Sequence, residues 1–233
     1  MKDENFVRLF WGKSFTGKTS RMFYELRDDA RVLAVDPKCG SLTKLEGWDH
    51  LWPFFDERTY LESKGKRCIW LGKTFIDYFR KRLKQKFRAM VHLRDYHTQQ
   101  LNMLCGLMMG VKKCTVAVDE LSIFVPPGPP SALPSLIRTL AISGRHESLR
   151  FYGTSQRLSF VHATIRGNAS TQSFYRLTEE NDLKAARGYL PRSIADSLPS
   201  LPDHVCVEWT DGGAPYRNES LVGKFLAPGE KRH

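Results

Sequence analysis

The chain has 233 residues, 41% hydrophobic and 26% charged, long enough for one α/β domain with a full core and a small appendage at most. Lysine and arginine number 36 against 25 aspartates and glutamates, a formal net charge of +11. That excess points to a polyanionic partner, nucleic acid before an anionic membrane surface. Five cysteines without a C-x-x-C pair and seven histidines without metal-ligand spacing exclude a disulfide framework and a structural zinc site, and favour a reducing compartment.

An apolar run at residues 6–11 predicts the first strand; the polar Met1-Lys2-Asp3-Glu4-Asn5 ahead of it does not make a signal peptide. The strand runs into Gly12-Lys13-Ser14-Phe15-Thr16-Gly17-Lys18-Thr19, a complete G-x-x-x-x-G-K-T phosphate-binding loop, and a helix follows over 17–28. Residues 31–35 predict a second buried strand, closed by Asp36-Pro37. Residues 40–66 lack periodicity but hold Trp48, Trp52, Phe54 and Phe55, and read as an irregular insertion with its own apolar anchor. An edge strand over 67–71 comes next, then a helix over 74–86 with Phe75, Ile76, Phe79 and Leu83 on one face. A strand over 87–93 and a helix over 96–110 follow. The apolar run 101–111 is too short to cross a bilayer, so no transmembrane segment is expected.

A central strand at 114–118 ends in Asp119-Glu120. Val125-Pro126-Pro127-Gly128-Pro129-Pro130 is a stiff loop, and Pro134 opens a helix carrying Ile137, Leu140 and Ala141. A strand over 149–154 leads into Ser155-Gln156-Arg157, followed by a helix near 161–167, a strand at 173–177, a charged helix over 178–188 and a last strand at 205–209. From residue 211 the chain is turn-rich and reads as peripheral. Strands and helices alternate with no internal repeat or domain break. The expected fold is therefore α/β, one domain over 1–233 with a mostly parallel sheet covered by helices on both faces.

The phosphate loop defines a nucleotide-binding set of Gly12, Lys13, Ser14, Phe15, Thr16, Gly17, Lys18, Thr19 and Ser20. Its glycines let successive backbone N–H groups face the phosphates, Lys18 adds charge at the β/γ oxygens, and Thr19 offers a hydroxyl to Mg²⁺. Cys114-Thr115-Val116-Ala117-Val118-Asp119-Glu120 brings two carboxylates to the same sheet edge. Asp119 suits Mg²⁺, and Glu120 suits the water that attacks the γ-phosphate, a role that a small-molecule kinase would not need. Gly153-Thr154-Ser155-Gln156-Arg157 ends the next strand, where the Gln156 amide can sense the γ-phosphate. Arg145, Arg157 and Arg166 are candidates for an arginine finger supplied by a neighbouring subunit, with Arg145 in Gly144-Arg145-His146 first and Arg157 second. Arg80-Lys81-Arg82-Leu83-Lys84-Gln85-Lys86-Phe87-Arg88 holds six positive charges in nine residues, suited to a phosphate backbone read without base identity or, equally, to solvent. Lys64, Lys66 and Arg67 could extend that patch.

In their order, Gly12–Thr19, Val35-Asp36-Pro37-Lys38, Val118-Asp119-Glu120, Gly144-Arg145-His146 and Thr154-Ser155-Gln156-Arg157…Ile165-Arg166-x-Asn168 resemble the FtsK–HerA group of P-loop motor ATPases. Within it they look like the genome-packaging ATPases of membrane-containing, double-jelly-roll-capsid viruses and phages. The resemblance spans about residues 5–180, and departs from the pattern at Leu158, where proline is usual after Gln-Arg. It implies a RecA-like P-loop core, ATP and Mg²⁺, hydrolysis coupled to moving double-stranded DNA, and a hexameric ring of the chain with itself. It also implies capsid or membrane vertex proteins as partners, and a place in the host cytoplasm or at the virion's packaging vertex. A second resemblance is to filamentous-phage assembly ATPases similar to zonula occludens toxin. A protein-translocating ATPase and a nucleotide-gated switch without turnover therefore remain as alternatives, and a nucleotide kinase is a distant third.

Overall fold

The computed structural model describes residues 7–37, 47–51, 73–82, 84–93 and 98–218. Strands β1 (Val7–Trp11), β2 (Arg31–Asp36), β3 (Asp49–Leu51), β4 (Phe87–His92), β5 (Thr115–Val118), β6 (Arg150–Ser155), β7 (Thr171–Phe174), β8 (Cys206–Thr210) and β9 (Tyr216–Asn218) form one sheet. Their spatial order is β3-β4-β2-β5-β6-β1-β7-β8-β9. Every pairing from β3 across to β7 is parallel, and β8 and β9 close the other side antiparallel. The helices are α1 (Lys18–Glu25), α2 (Lys73–Lys81), α3 (Thr98–Val111), α4 (Ser135–Ser143), α5 (Ala163–Gly167), α6 (Glu180–Ala186) and α7 (Arg192–Ser197).

The strands read as near-continuous apolar runs because both faces of the sheet are covered. Alternation still sorts the side chains. Leu9, Trp11, Leu33, Val35, Ala89, Val91, Val116, Val118 and Phe151 join the larger core, which takes in residues from α2 to α7. Phe10, Val32, Ala34, Met90, Ala117 and Tyr152 point to the other face and pack with Met22 of α1 and Leu26. On that second face Arg8, 2% exposed, pairs with Glu25 at 3.1 Å and Glu208 at 3.3 Å, while Arg21 reaches the same two carboxylates. Tyr216 and Asn218 donate to Glu208 as well. This buried network ties β1 and α1 to the antiparallel hairpin. Burial alone would raise the Glu25 carboxyl, but Arg8 and then Arg21 outweigh it and hold its pKa below the usual carboxylate range.

Several elements differ from the sequence expectation. Inside the supposed irregular insertion, Asp49–Leu51 pairs in parallel with β4; Asp-His-Leu is too short and polar to announce a strand. The helix expected to 86 ends at Lys81, because turns from Phe79 to Arg82 and from Arg82 to Gln85 deliver Phe87 into β4. There the rings of Phe79 and Phe87 meet edge-on at 5.3 Å. The strand expected at 173–177 runs over Thr171–Phe174. Its polar start is buried through pairs such as Trp11 Nε1 donating to Gln172 Oε1 at 2.7 Å, which hid it from a hydropathy reading. Helix α7 and strand β9 were not anticipated, and β9 gives part of the stretch after 211 a place in the sheet. The strand expected at 67–71, and Trp52, Phe54, Phe55, Lys64, Lys66 and Arg67, lie outside the described residues. Trp48 does pack as an anchor, edge-on to Phe23 at 5.4 Å.

Candidate nucleotide-hydrolysis site

Parallel strands deliver their carboxyl ends to one edge of the sheet, and the phosphate loop starts there, after β1. Its entry is stapled to both flanking strands: Gly12 N–H donates to Ser155 O, Tyr175 N–H to Trp11 O and Lys13 N–H to Arg176 O. Gly12 and Gly17 adopt φ of 148° and 96°, where a Cβ is strained. A Cβ at Gly12 would also stand 2.6 Å from Tyr175 Cβ. The loop folds on itself through Lys13 O, which accepts from Thr16 Oγ1 at 2.8 Å and from Lys18 Nζ at 2.6 Å. Lys18 is buried and Ser20 exposed. Ser14 and Phe15 project at the loop tip, Phe15 94% exposed with φ 62°. Helix α1 starts on Gly17 with no side-chain cap and no acidic residue in its first turn, so its N-terminus suits an anion.

Two strands away, β5 ends in the carboxylates. Asp119, 7% exposed, accepts from Thr19 Oγ1 at 2.8 Å and Thr154 Oγ1 at 2.7 Å. A hydroxyl beside a carboxylate is a hard-oxygen donor set, and Thr19 with Asp119 fits Mg²⁺. Glu120 takes a left-handed conformation, φ 55° and ψ 67°, that turns the chain out of the sheet. Three donors converge on its Oε1: Ser122 Oγ at 2.6 Å, Ser155 Oγ at 2.9 Å and the Gln156 N–H at 3.1 Å. Its own N–H donates to Thr154 Oγ1 at 3.1 Å. The tip of β6 therefore positions both carboxylates, and Thr154 bonds to both residues at once. Sequence reasoning named the Thr154-Ser155-Gln156 segment for Gln156 alone. The two hydroxyls were missed because only the sheet order brings them beside β5.

Arg157 and Arg166 do not join this cluster. Arg157 lies nearby, but its Nε donates to the buried Asp182 at 2.7 Å and its guanidinium covers the Phe160 ring at 4.4 Å. Asp182 also accepts from Ser159 N–H and Oγ, so Arg157 is engaged within its own chain. The backbone of Arg145 lies in the turn Gly144–Glu147 between α4 and β6, at the opposite, amino-terminal edge of the sheet. Arg166 ends α5 and donates to Val161 O. The proline-rich loop is pinned: His162 N–H donates to Val125 O, its Nε2 bonds Pro129 O at 3.1 Å, and Arg138 bonds Pro130 O and Leu133 O.

Asp36 of the second motif is fully buried at the nucleotide edge, 3.3 Å from His92 Nδ1, and His92 Nε2 shares a 2.9 Å hydrogen bond with His50; Lys38 lies outside the described residues. The basic segment stands at the far edge. Arg80, Lys81, Lys84 and Lys86 are exposed there, beside an open depression of about 420 Å³ whose lining includes Arg27, Lys86 and Arg88 but also Asp28, Asp29 and Asp49.

No protein-family model and no curated protein matches the sequence. Solved structures do match in fold. The genome-packaging NTPase B204 of Sulfolobus turreted icosahedral virus 2, in complex with AMPPCP, superposes with a TM-score of 0.70 at 10% identity, over 93% of this chain and 98% of that one. VirB4 of Thermoanaerobacter pseudethanolicus gives 0.57 at 14% identity, over 93% and 90%. The N-terminal domain of zonular occludens toxin from Neisseria meningitidis gives 0.50 at 10%, over 96% and 100%. The chain thus shares its mostly parallel α/β fold with these three structures.

Proposed function

We propose that this protein is a genome-packaging ATPase that couples ATP hydrolysis to the movement of double-stranded DNA into a capsid. The observation that carries the reading is the convergence of Lys18, Thr19, Asp119, Glu120 and Gln156 on one sheet edge, with the Asp119 and Glu120 pair anchored by the tip of β6. The triphosphate lies along the loop, its negative charge met by the N-terminus of α1 and by Lys18. When bound to Thr19 and Asp119, Mg²⁺ neutralises charge on the phosphate oxygens. Glu120 orients the attacking water and accepts its proton; among the described residues the three donors to its carboxylate all act on Oε1, which leaves Oε2 for that water. Gln156, whose backbone N–H donates to Glu120, is the sensor of the γ-phosphate in this reading, through its side-chain amide. Rate enhancement here comes from positioning and electrostatics.

Arg145 stands at the wrong edge to serve its own site, which suits a finger given to a neighbour in a hexameric ring. The basic residues at 80–88 grip the DNA backbone, and capsid or membrane vertex proteins dock the ring at the packaging vertex of the virion, after assembly in the host cytoplasm. ATP turnover with and without long double-stranded DNA tests the reading, with Lys18→Ala and Glu120→Gln as controls. DNA should stimulate turnover, and both variants should lose it while Glu120→Gln still binds nucleotide. Turnover indifferent to DNA would instead indicate a protein-translocating assembly ATPase, and binding without turnover a nucleotide-gated switch.

A further inference from the structure

One histidine touches the phosphate loop from far along the chain. His204 lies between α7 and β8, exposed, with φ 64°. A side chain in that conformation is strained and glycine would be easier. Its backbone N–H donates to Thr16 O at 3.2 Å. Its ring lies against Gly17: a Cβ there would stand 2.6 Å from Nδ1 and 3.5 Å from Cε1 and Cγ. The preceding residue, Asp203, accepts from Arg176 at 2.6 Å, and Arg176 O accepts from Lys13 N–H. The loop thus has a second wall, built from Arg176, Asp203 and His204.

The sheet order says what that wall faces. Strand β1 carries the loop; β6 and β5, with the hydrolytic groups, lie to one side, and β7 and β8 lie to the other. A triphosphate whose γ end points to Glu120 must project its nucleoside toward β7 and β8. We propose that His204 is a nucleoside-contacting residue, its imidazole seated on the bare Cα of Gly17 and its free face set against the base or ribose of the bound nucleotide. This rests on the nucleotide-hydrolysis reading and adds to it the element that distinguishes a nucleotide from bare polyphosphate. The strained backbone holds the ring in place, and the bond to Thr16 fixes the wall's height.

The test is His204→Gly, which keeps the backbone bond to Thr16, relieves the positive φ and removes only the ring. Binding of ATP and of inorganic tripolyphosphate is measured by calorimetry for wild type and variant, with thermal unfolding alongside. The expected result is ATP binding weakened about tenfold, the order of one lost stacking contact, with tripolyphosphate affinity unchanged and the unfolding midpoint equal or higher. His204→Phe, which restores an aromatic face, should recover most of the ATP affinity. Unchanged ATP binding in His204→Gly overturns the proposal and leaves the nucleotide site standing. A parallel loss of both ligands overturns it too, by assigning the residue to loop support. A wild-type protein that binds neither ligand removes the nucleotide reading itself, and this inference with it.

Discussion

Thr154→Val is the substitution that most directly probes how the Asp119 and Glu120 pair is held. The threonine is 1% exposed, and its hydroxyl accepts from the Glu120 N–H while donating to Asp119 Oδ1. Valine keeps the shape and removes both bonds. A buried N–H left without an acceptor costs about 1–3 kcal/mol, and a lost hydrogen bond to a charged group about 1.5–3 kcal/mol. The two losses share one hydroxyl, and Thr19 still serves Asp119, so the net destabilisation should be about 3 kcal/mol. For a chain of this length that lowers Tm by roughly 6–12 °C. The function should suffer more, because the Glu120 turn loses its backbone anchor; a shift of about 1 Å in a catalytic group costs on the order of a hundredfold in rate. Thr154→Ser is the control, since it retains the hydroxyl and loses one methyl group, about 1 kcal/mol. Thermal unfolding and steady-state ATP turnover read the two effects. A valine protein as stable and as active as the serine protein would refute the claim that β6 positions the carboxylates.

Arg8→Met strands the buried Glu208 and the half-buried Glu25, with Arg21 as their remaining guanidinium; urea unfolding should register a loss of about 3 kcal/mol. The same network sets an acid limit. Glu25 titrates below its unfolded value of about 4.5, so it binds a proton more readily unfolded than folded. Its contribution is full above that value and is lost as pH falls through the depressed folded one, and stability curves of Glu25→Gln should lack that part of the acid slope. Burial pushes the thiols of Cys105 and Cys114 up to about 12 and that of Cys206 up to about 11, so at neutral pH a thiol reagent should leave all three unmodified until the protein is unfolded, as mass spectrometry of labelled peptides would record.

The phosphate loop and the Asp119-Glu120 strand end were legible because each is local: residue types in unbroken order, bounded by an apolar strand. The principal parallel strands were legible for a related reason, since burial on both faces writes them as apolar runs. What stayed hidden depends on side chains brought together across the fold. Thr154 and Ser155 became part of the site only when β6 was seen to lie between β1 and β5, and His204 only when the loop before β8 was seen against Gly17. Edge strands β3 and β9, three residues each, carry no periodicity from which to read them. The Arg145 and Arg157 candidates were chosen by motif alone, and geometry separates them: one is engaged with Asp182, the other sits at the far edge.

The place of β1 in the sheet has a consequence for biosynthesis. The strand that launches the phosphate loop precedes every other described element, yet its two neighbours are β6 and β7. A nascent chain that has not reached residue 150 carries the whole phosphate-loop motif and neither of the strands that support it. Ordering of the phosphate loop must then wait until residues 171–174 have left the ribosome, so that loop and central sheet form together in one late event.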